Sequence, residues 1–257
     1  MDFVRIDIAN RIASITLNRP EKHNALNPEL IAKLQDAFKV VEQDKAVKVV
    51  VLKSQGKNFS AGADLGYLQQ LQSNTFEANV QDSNRLRFLF NTIYNLEKTV
   101  IAQVEGDAIA GGCGLVSACD IVFCVPDVKF GYTEVKIGFV PALVAAFLLR
   151  KIGEGRTREL LLSGELIDAK TAYKYGFVNF IEERIAISDA VTAYARKLAE
   201  STSSQSIKTT KQLLSKLHGL SIEDSLSYAS KVNAKARLTD DFKKGLDSFL
   251  NKKSPKW

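Results

Sequence analysis

The chain has 257 residues, 46% of them hydrophobic and 25% charged, with a formal net charge of +6. That balance excludes an intrinsically disordered chain and suits one α/β domain with an appendage, or two small domains. The longest apolar runs, such as Val140–Leu149, fall short of the roughly 20 residues needed to span a bilayer.

Val4, Ile6 and Ile8, then Ala13, Ile15 and Leu17, alternate with polar residues, the pattern of a β-hairpin turning near Asn10-Arg11. Asn27-Pro28 is a helix start, cap followed by proline, and Leu30, Leu34, Ala37, Phe38 and Val41 give that helix an apolar face. Val47–Leu52 is continuously apolar, as buried parallel strands are, and Phe59–Leu65 follows it. A polar helical stretch is expected over Gln69–Glu77 and a longer helix from about Asn84 to Leu96. The strand Val100–Val104 leads to Ala110–Gly114, a helix from about Gly112 to Ala118 and a buried strand Ile121–Val125. Phe130 opens the segment carrying Glu134, and a helix follows Pro141. Ser163-Gly164 reads as a turn, Asp168 as the cap of a helix ending near Gly176, and Val178–Ile181 as the last strand. Beyond about Ile187 the pattern is helical throughout. The division expected is therefore a β/α core over 1–190 and a helical region over 191–257.

Two glycine-bearing stretches carry the chemistry: Phe59-Ser60-Ala61-Gly62-Ala63-Asp64-Leu65 and Ala110-Gly111-Gly112-Cys113-Gly114. Each reads as a strand end opening into a helix, a turn that aims backbone N–H groups outward. Two such groups on one carbonyl oxygen would make an oxyanion hole, and a nearby glutamate could move a proton beside it. Taken alone, Gly111-Gly112 serves the packing of a helix against a strand at least as well. Glu134 sits among apolar neighbours, which would raise its pKa, although a surface glutamate between strand and helix fits the same pattern.

Other chemistries lack their motifs. No Gly-x-Ser-x-Gly elbow accompanies the two histidines, His23 and His218, and neither phosphate-binding glycine fingerprint occurs. Cys113, Cys119 and Cys124 have no metal-ligand spacing and read as small buried residues in a reducing compartment. The start, Met1-Asp2-Phe3-Val4-Arg5, lacks the pattern of a secretory or transit segment, so a cytoplasmic protein is expected. The positive charge permits RNA binding, but no RNP-like aromatic motif is present and the lysines are scattered.

The ordered series Asn18-Arg19-Pro20, Asn24-Ala25-Leu26, Phe59–Leu65, Gly111-Gly112, Cys119-Asp120, Glu134 and Gly138 resembles the enoyl-CoA hydratase/isomerase (crotonase) superfamily from end to end. The resemblance implies an α/β fold: a spiral of ββα units with a helical C-terminal trimerisation region, assembling as a trimer or a dimer of trimers. It implies an acyl-CoA thioester substrate, with coenzyme A part of the substrate rather than a cofactor; the short apolar runs and absent RNP-like motif separately argue against a membrane or nucleic acid as partner. By the same correspondence the thioester oxygen meets the N–H groups of Ala63 and Gly111, and Glu134 handles the proton. Lys22, His23 and Ala25, with Ala61, Asp64 and Leu65, would meet the CoA nucleotide. Gly114 and Pro141 count among the substrate-binding positions, and no residue as a metal ligand. Typical short-chain hydratases carry a second glutamate where this chain has Gly114, whereas some Δ3,Δ2-enoyl-CoA isomerases also keep only one. The combination of Phe59–Leu65, the glycine at Gly114, the run Ile137–Ala142 and the ending Phe249-Leu250 with Pro255-Lys256-Trp257 is similar, more narrowly, to bacterial 3-methylglutaconyl-CoA hydratases. Tyr67, Phe88, Phe139, Val140 and Leu143 are candidates for the acyl pocket, and Arg85, Arg87 and Lys136 for a distal substrate carboxylate.

Overall fold

The computed structural model of the protein describes residues 2–255 and Trp257. Strands β1 (Val4–Ala9) and β2 (Ile12–Leu17) form the expected hairpin, turning through Asn10 and Arg11 at positive φ. Helix α1 (Pro28–Gln43) begins where its cap predicts: the Asn27 side chain accepts from Leu30 N–H. It buries Leu30, Ile31, Leu34, Ala37, Phe38 and Val41, the larger side chains each worth about 1.5–3 kcal/mol when fully withdrawn from water. Strands β3 (Val49–Ser54) and β4 (Asn58–Ser60) follow, then α2 (Leu65–Leu71) and α3 (Phe76–Asn95).

Next come β5 (Thr99–Val104), β6 (Asp107–Ile109), α4 (Gly111–Ala118), β7 (Ile121–Cys124) and β8 (Lys129–Gly131). The chain continues through α5 (Ala142–Ser163), β9 (Leu166–Asp168), α6 (Ala169–Lys174) and β10 (Phe180–Ile181). It closes with α7 (Ile187–Ser201), α8 (Ser204–Leu217), α9 (Ile222–Ala236) and α10 (Asp240–Leu250).

The strands divide between two sheets. The larger has the order β1-β2-β3-β5-β7-β10, parallel from β2 onward, and its inner strands β3, β5 and β7 are mostly apolar and buried, as in sheets covered on both faces. The smaller has the order β4-β6-β8-β9, with β4, β6 and β8 parallel. The chain passes from large sheet to small three times, β3 to β4, β5 to β6 and β7 to β8. Phe38, Phe59, Phe90, Phe130, Tyr132 and Phe177 fill the space around them.

Two local readings change. The small-sheet strands are three residues each and too short to show a period, so the first glycine motif leaves β4 rather than the strand expected over Val47–Leu52. The stretch Gln69–Glu77 is not one helix: α2 ends at Leu71, and Thr75 caps α3 by accepting from Ala78 N–H. Helix α7 lies on the large sheet through Ile187, Val191, Ala195 and Ala199, whereas α8, α9 and α10 bury no residue within this chain. No helix among the described residues is long and apolar enough to cross a membrane.

Candidate active site

The small sheet brings the chemistry together. Strands β4 and β6 are parallel neighbours, with Ser60 beside Ala108, so Ala61-Gly62-Ala63 and Ala110-Gly111 leave adjacent strand ends in the same direction. Strand β8 lies next, with Ile109 beside Gly131, so Tyr132-Thr133-Glu134 leaves at the same edge. Sites in open parallel sheets form outside these carboxyl ends.

The two glycine turns touch. Gly62 has φ of +86°, and a Cβ placed on it would lie 2.8 Å from Ile109 O and Ala110 Cβ and 3.3 Å from Gly111 N. Gly112 is crowded further, its notional Cβ 2.4 Å from Ser60 O, which holds the start of α4 against β4. Ala110 sits between them at φ 50° and ψ −121°, a region glycine prefers, and its N–H donates to Gly131 O at 2.7 Å. Helix α4 has no side-chain cap, and its first bond along the chain runs from Gly114 N to Ala110 O. Gly111 N–H therefore stands at a helix start with no acceptor among the described residues, and Ala63 N–H has none either. The two N–H groups therefore stand on turns that are in contact with each other.

The first turn is fixed by the loop before α1. Leu26 pairs with Ala63 in an isolated parallel bridge: Leu26 N donates to Gly62 O at 2.7 Å and Asp64 N to Leu26 O at 2.9 Å. Ala61 N donates to His23 O, and Ser60 Oγ to Asn24 O. The fully buried Asn24 accepts from Arg19 N and donates to Gln55 O and Asn58 O. Arg19 donates to Ala25 O and to Asp64 at 2.9 Å. Asp64 caps α2, accepting from Gly66 and Tyr67 N–H, and the Arg19 guanidinium holds its carboxyl below the usual range. The roles of Arg19 and Asn24 as struts are not readable from composition or period, although both lie inside the Asn-Arg-Pro and Asn-Ala-Leu motifs.

Lys22 and Asp64 line one cleft of about 310 Å³, with Arg19, Asn27, Tyr67 and Gln70. Lys22, Ala61 and Leu65 are exposed, Ala25 and Pro141 are buried, and exposed His23 turns its Nδ1 to Asn58. A separate cavity of about 390 Å³ lies at the amino-terminal ends of β3 and β5, away from both turns.

Glu134 opens a 3-10 turn, Glu134–Ile137, closed by Gly138 at φ 74°. Its main-chain oxygen accepts from Phe139 N at 3.0 Å, and Val135 and Lys136 back onto Gly164 at the end of α5. Its carboxylate oxygen Oε2 is buried and has no hydrogen-bond partner among the described residues. Burial pushes the carboxyl above its ordinary value of 4.5. Cys113, buried in the same α4 start, has its thiol pushed up to about 12 and is no thiolate nucleophile at neutral pH.

Other candidates are dispersed or engaged. Arg85 pairs with Asp82, Arg87 bonds Asn84 and stacks on Phe88, and Lys136 pairs with Glu165 at 2.8 Å. Tyr67 is half-buried with its hydroxyl donating to Asp82, and Leu143 is partly buried against the core. Phe88, Phe139 and Val140 are exposed.

Glu134, with one buried and unpartnered carboxylate oxygen, thus leaves the same sheet edge as two N–H groups that have no acceptor among the described residues. The sequence profile of the enoyl-CoA hydratase/isomerase family matches residues 7–257, and the chain belongs to that family. A Thermus thermophilus protein provisionally named an enoyl-CoA hydratase is 41% identical over 249 residues, covering 96% of this chain and 97% of that one. The (E)-benzylidenesuccinyl-CoA hydratase of Thauera aromatica is 31% identical, over 98% of this chain and 97% of its own. Among solved structures, an enoyl-CoA hydratase from Shewanella pealeana superposes with a TM-score of 0.94 at 29% identity, over 99% of this chain and 96% of that one.

Proposed function

We propose that the protein is an enoyl-CoA hydratase that adds water to a 2-enoyl-CoA thioester. The observation that carries this reading is the contact of the Gly62 and Gly111 turns, two free donors with Glu134 at the same sheet edge. Glu134 takes a proton from water as the water oxygen bonds to C3 of the acyl group. The electron pair of the double bond moves onto the thioester oxygen, held by Ala63 and Gly111 N–H. The proton on Glu134 then returns to C2, so water is added across one face and the carboxylate is regenerated. Donors of this kind are each worth 10²–10³ in rate. Lys22 and the cleft beside Asp64 suit the CoA nucleotide, and the thioester brings its own CoA, so no further cofactor enters.

The test is hydration of crotonyl-CoA and 3-methylglutaconyl-CoA by Glu134→Gln against wild type; unimpaired turnover would sink the mechanism. The sequence ending and the Ile137–Ala142 run support 3-methylglutaconyl-CoA as the substrate to try first. A second reading, Δ3,Δ2-enoyl-CoA isomerase, is favoured by Gly114: moving a proton from C2 to C4 needs only one carboxylate. Formation of the conjugated product from a 3-enoyl-CoA separates the two.

The proposed assembly is a trimer or dimer of trimers through the helical region 191–257. Ile222, Leu226, Leu238, Leu246, Phe249 and Leu250 all lie exposed on α9, α10 and their connection, an apolar surface that association would cover.

A further inference from the structure

Gly114 is the position at which the reading of Glu134 as the sole carboxylate turns, and its surroundings say why the chain lacks a second. A Cβ placed on Gly114 would lie 2.6 Å from Val144 Cγ1, 2.7 Å from Phe90 Cζ and 3.1 Å from Phe90 Cε2. Contacts under about 3 Å force a neighbour to move, and here neither neighbour is free to do so. Phe90 on α3 is fully buried and meets Phe147 edge-on at 5.9 Å, and Phe147 meets Tyr94 at 5.3 Å. Val144 is buried near the start of α5. The Gly114 backbone is pinned at both ends, its N–H on Ala110 O and its carbonyl under Ser117 Oγ at 2.8 Å. The slot is therefore not an empty one from which a glutamate has been deleted. Two apolar side chains from two other helices occupy it.

We propose that Phe90 and Val144 are specificity-determining residues: by filling the volume beside Gly114 they restrict this site to one-carboxylate chemistry on enoyl thioesters. The proposal rests on Glu134 acting as the base. Its consequence is that neither a bound water nor a small carboxylate can stand in for a second acid. The substrates accepted are those whose proton can be taken and returned by one group, through addition across a single face or a shift along the acyl chain.

The experiment has a stability arm and a catalytic arm, both on the full-length protein. In the first, Gly114→Ala is made alone and with Val144→Ala, and thermal midpoints are read. Gly114→Ala lowers the midpoint in the wild-type background, and that loss shrinks by half or more once Val144 Cγ1 is gone; an equal loss in both backgrounds overturns the proposal. In the second, Gly114→Glu alone loses about 10 °C or more or fails to fold. Gly114→Glu with Phe90→Ala and Val144→Ala folds, and its kcat/KM for crotonyl-CoA hydration shows one more ionisation than wild type. A Gly114→Glu single variant with wild-type stability, or a folded triple variant with the wild-type pH profile, overturns it. The stability arm stands even where the triple variant does not fold. Failure of the function itself would appear separately, as a wild-type enzyme or Glu134→Gln variant with the wrong activity and an intact stability coupling.

Discussion

Replacing Gly62 by alanine tests the contact on which the proposed hole depends. At φ +86° the new Cβ costs about 1–2 kcal/mol of backbone strain. It would start 2.8 Å from Ile109 O and Ala110 Cβ, and ordinary van der Waals contact begins near 3.4 Å, so one turn must retreat by about 0.6 Å. Overpacking of that size adds about 1–3 kcal/mol, for a midpoint lowered by roughly 5–15 °C. The larger effect is on rate. Gly111 N lies 3.3 Å from the same Cβ position, so the retreat separates the two donors, and misplacement of that order removes about 10²-fold in kcat. The assay follows loss of the conjugated enoyl thioester of crotonyl-CoA, with kcat and KM separated. KM should move little because the cleft proposed for the nucleotide is lined by neither Gly62 nor Gly111. Gly155→Ala is the control, with nothing within 4 Å of its Cβ, and should keep full activity at equal or higher stability. A folded Gly62→Ala protein within two-fold of wild-type kcat would refute the convergence of Ala63 and Gly111 on one oxygen.

Burial raises the Glu134 carboxyl above 4.5, so as a base it is lost as pH falls through that raised value, and the acidic limb of kcat/KM should sit above the usual carboxylate range. The same burial penalises only the ionised form: the cost is absent below 4.5 and complete once pH exceeds the raised value, so Glu134→Gln should raise the thermal midpoint at neutral pH and not in acid. Asn24→Ala strands Arg19 N, Gln55 O and Asn58 O and should cost about 2–4 kcal/mol by chemical denaturation, with kcat falling as the Gly62 turn loosens. Asp64→Asn keeps the cap but removes the 2.9 Å ion pair with Arg19, costing about 1–2 kcal/mol. Because Arg19 lowers the Asp64 carboxyl below 3.8, that contribution is present above 3.8 and lost as pH falls through the lowered value, so the two proteins should converge in acid. Phe249→Asp with Leu226→Lys should shift the protein to a smaller species in light scattering, at unchanged secondary structure by circular dichroism.

The parts of the fold legible in the sequence are those whose period is long enough to read. The β1–β2 hairpin, α1 with its Asn27-Pro28 start and the buried strands β3, β5 and β7 all lie within a few residues of where alternation, capping and apolar runs put them. The small sheet was invisible for a physical reason: strands of three residues complete barely one alternation. Glu134, Gly62 and Gly111 could be picked out by residue type, but their meeting depends on β4, β6 and β8 lying side by side. Phe90 and Val144 read only as core positions, since nothing in their own helices points to a glycine on a third.

That hidden sheet also explains why the two turns can cooperate at all. Three strands of the large sheet, β3, β5 and β7, each hand the chain to a short strand of the small one, so β4, β6 and β8 keep the parallel order of β3, β5 and β7. Residues leaving the three short strands then emerge at one edge in chain order: the Gly62 turn, the Gly111 turn, then Glu134. Two of the junctions require glycine for different reasons: Gly62 for its positive φ, and Gly112 because Ser60 O would lie 2.4 Å from any Cβ there. Between them Ala110, not glycine, is held at φ 50° by its bond to Gly131 O. Strain kept at that one residue, with free donors on either side, is what a site would look like if its geometry were set by the sheet and left waiting for an oxygen.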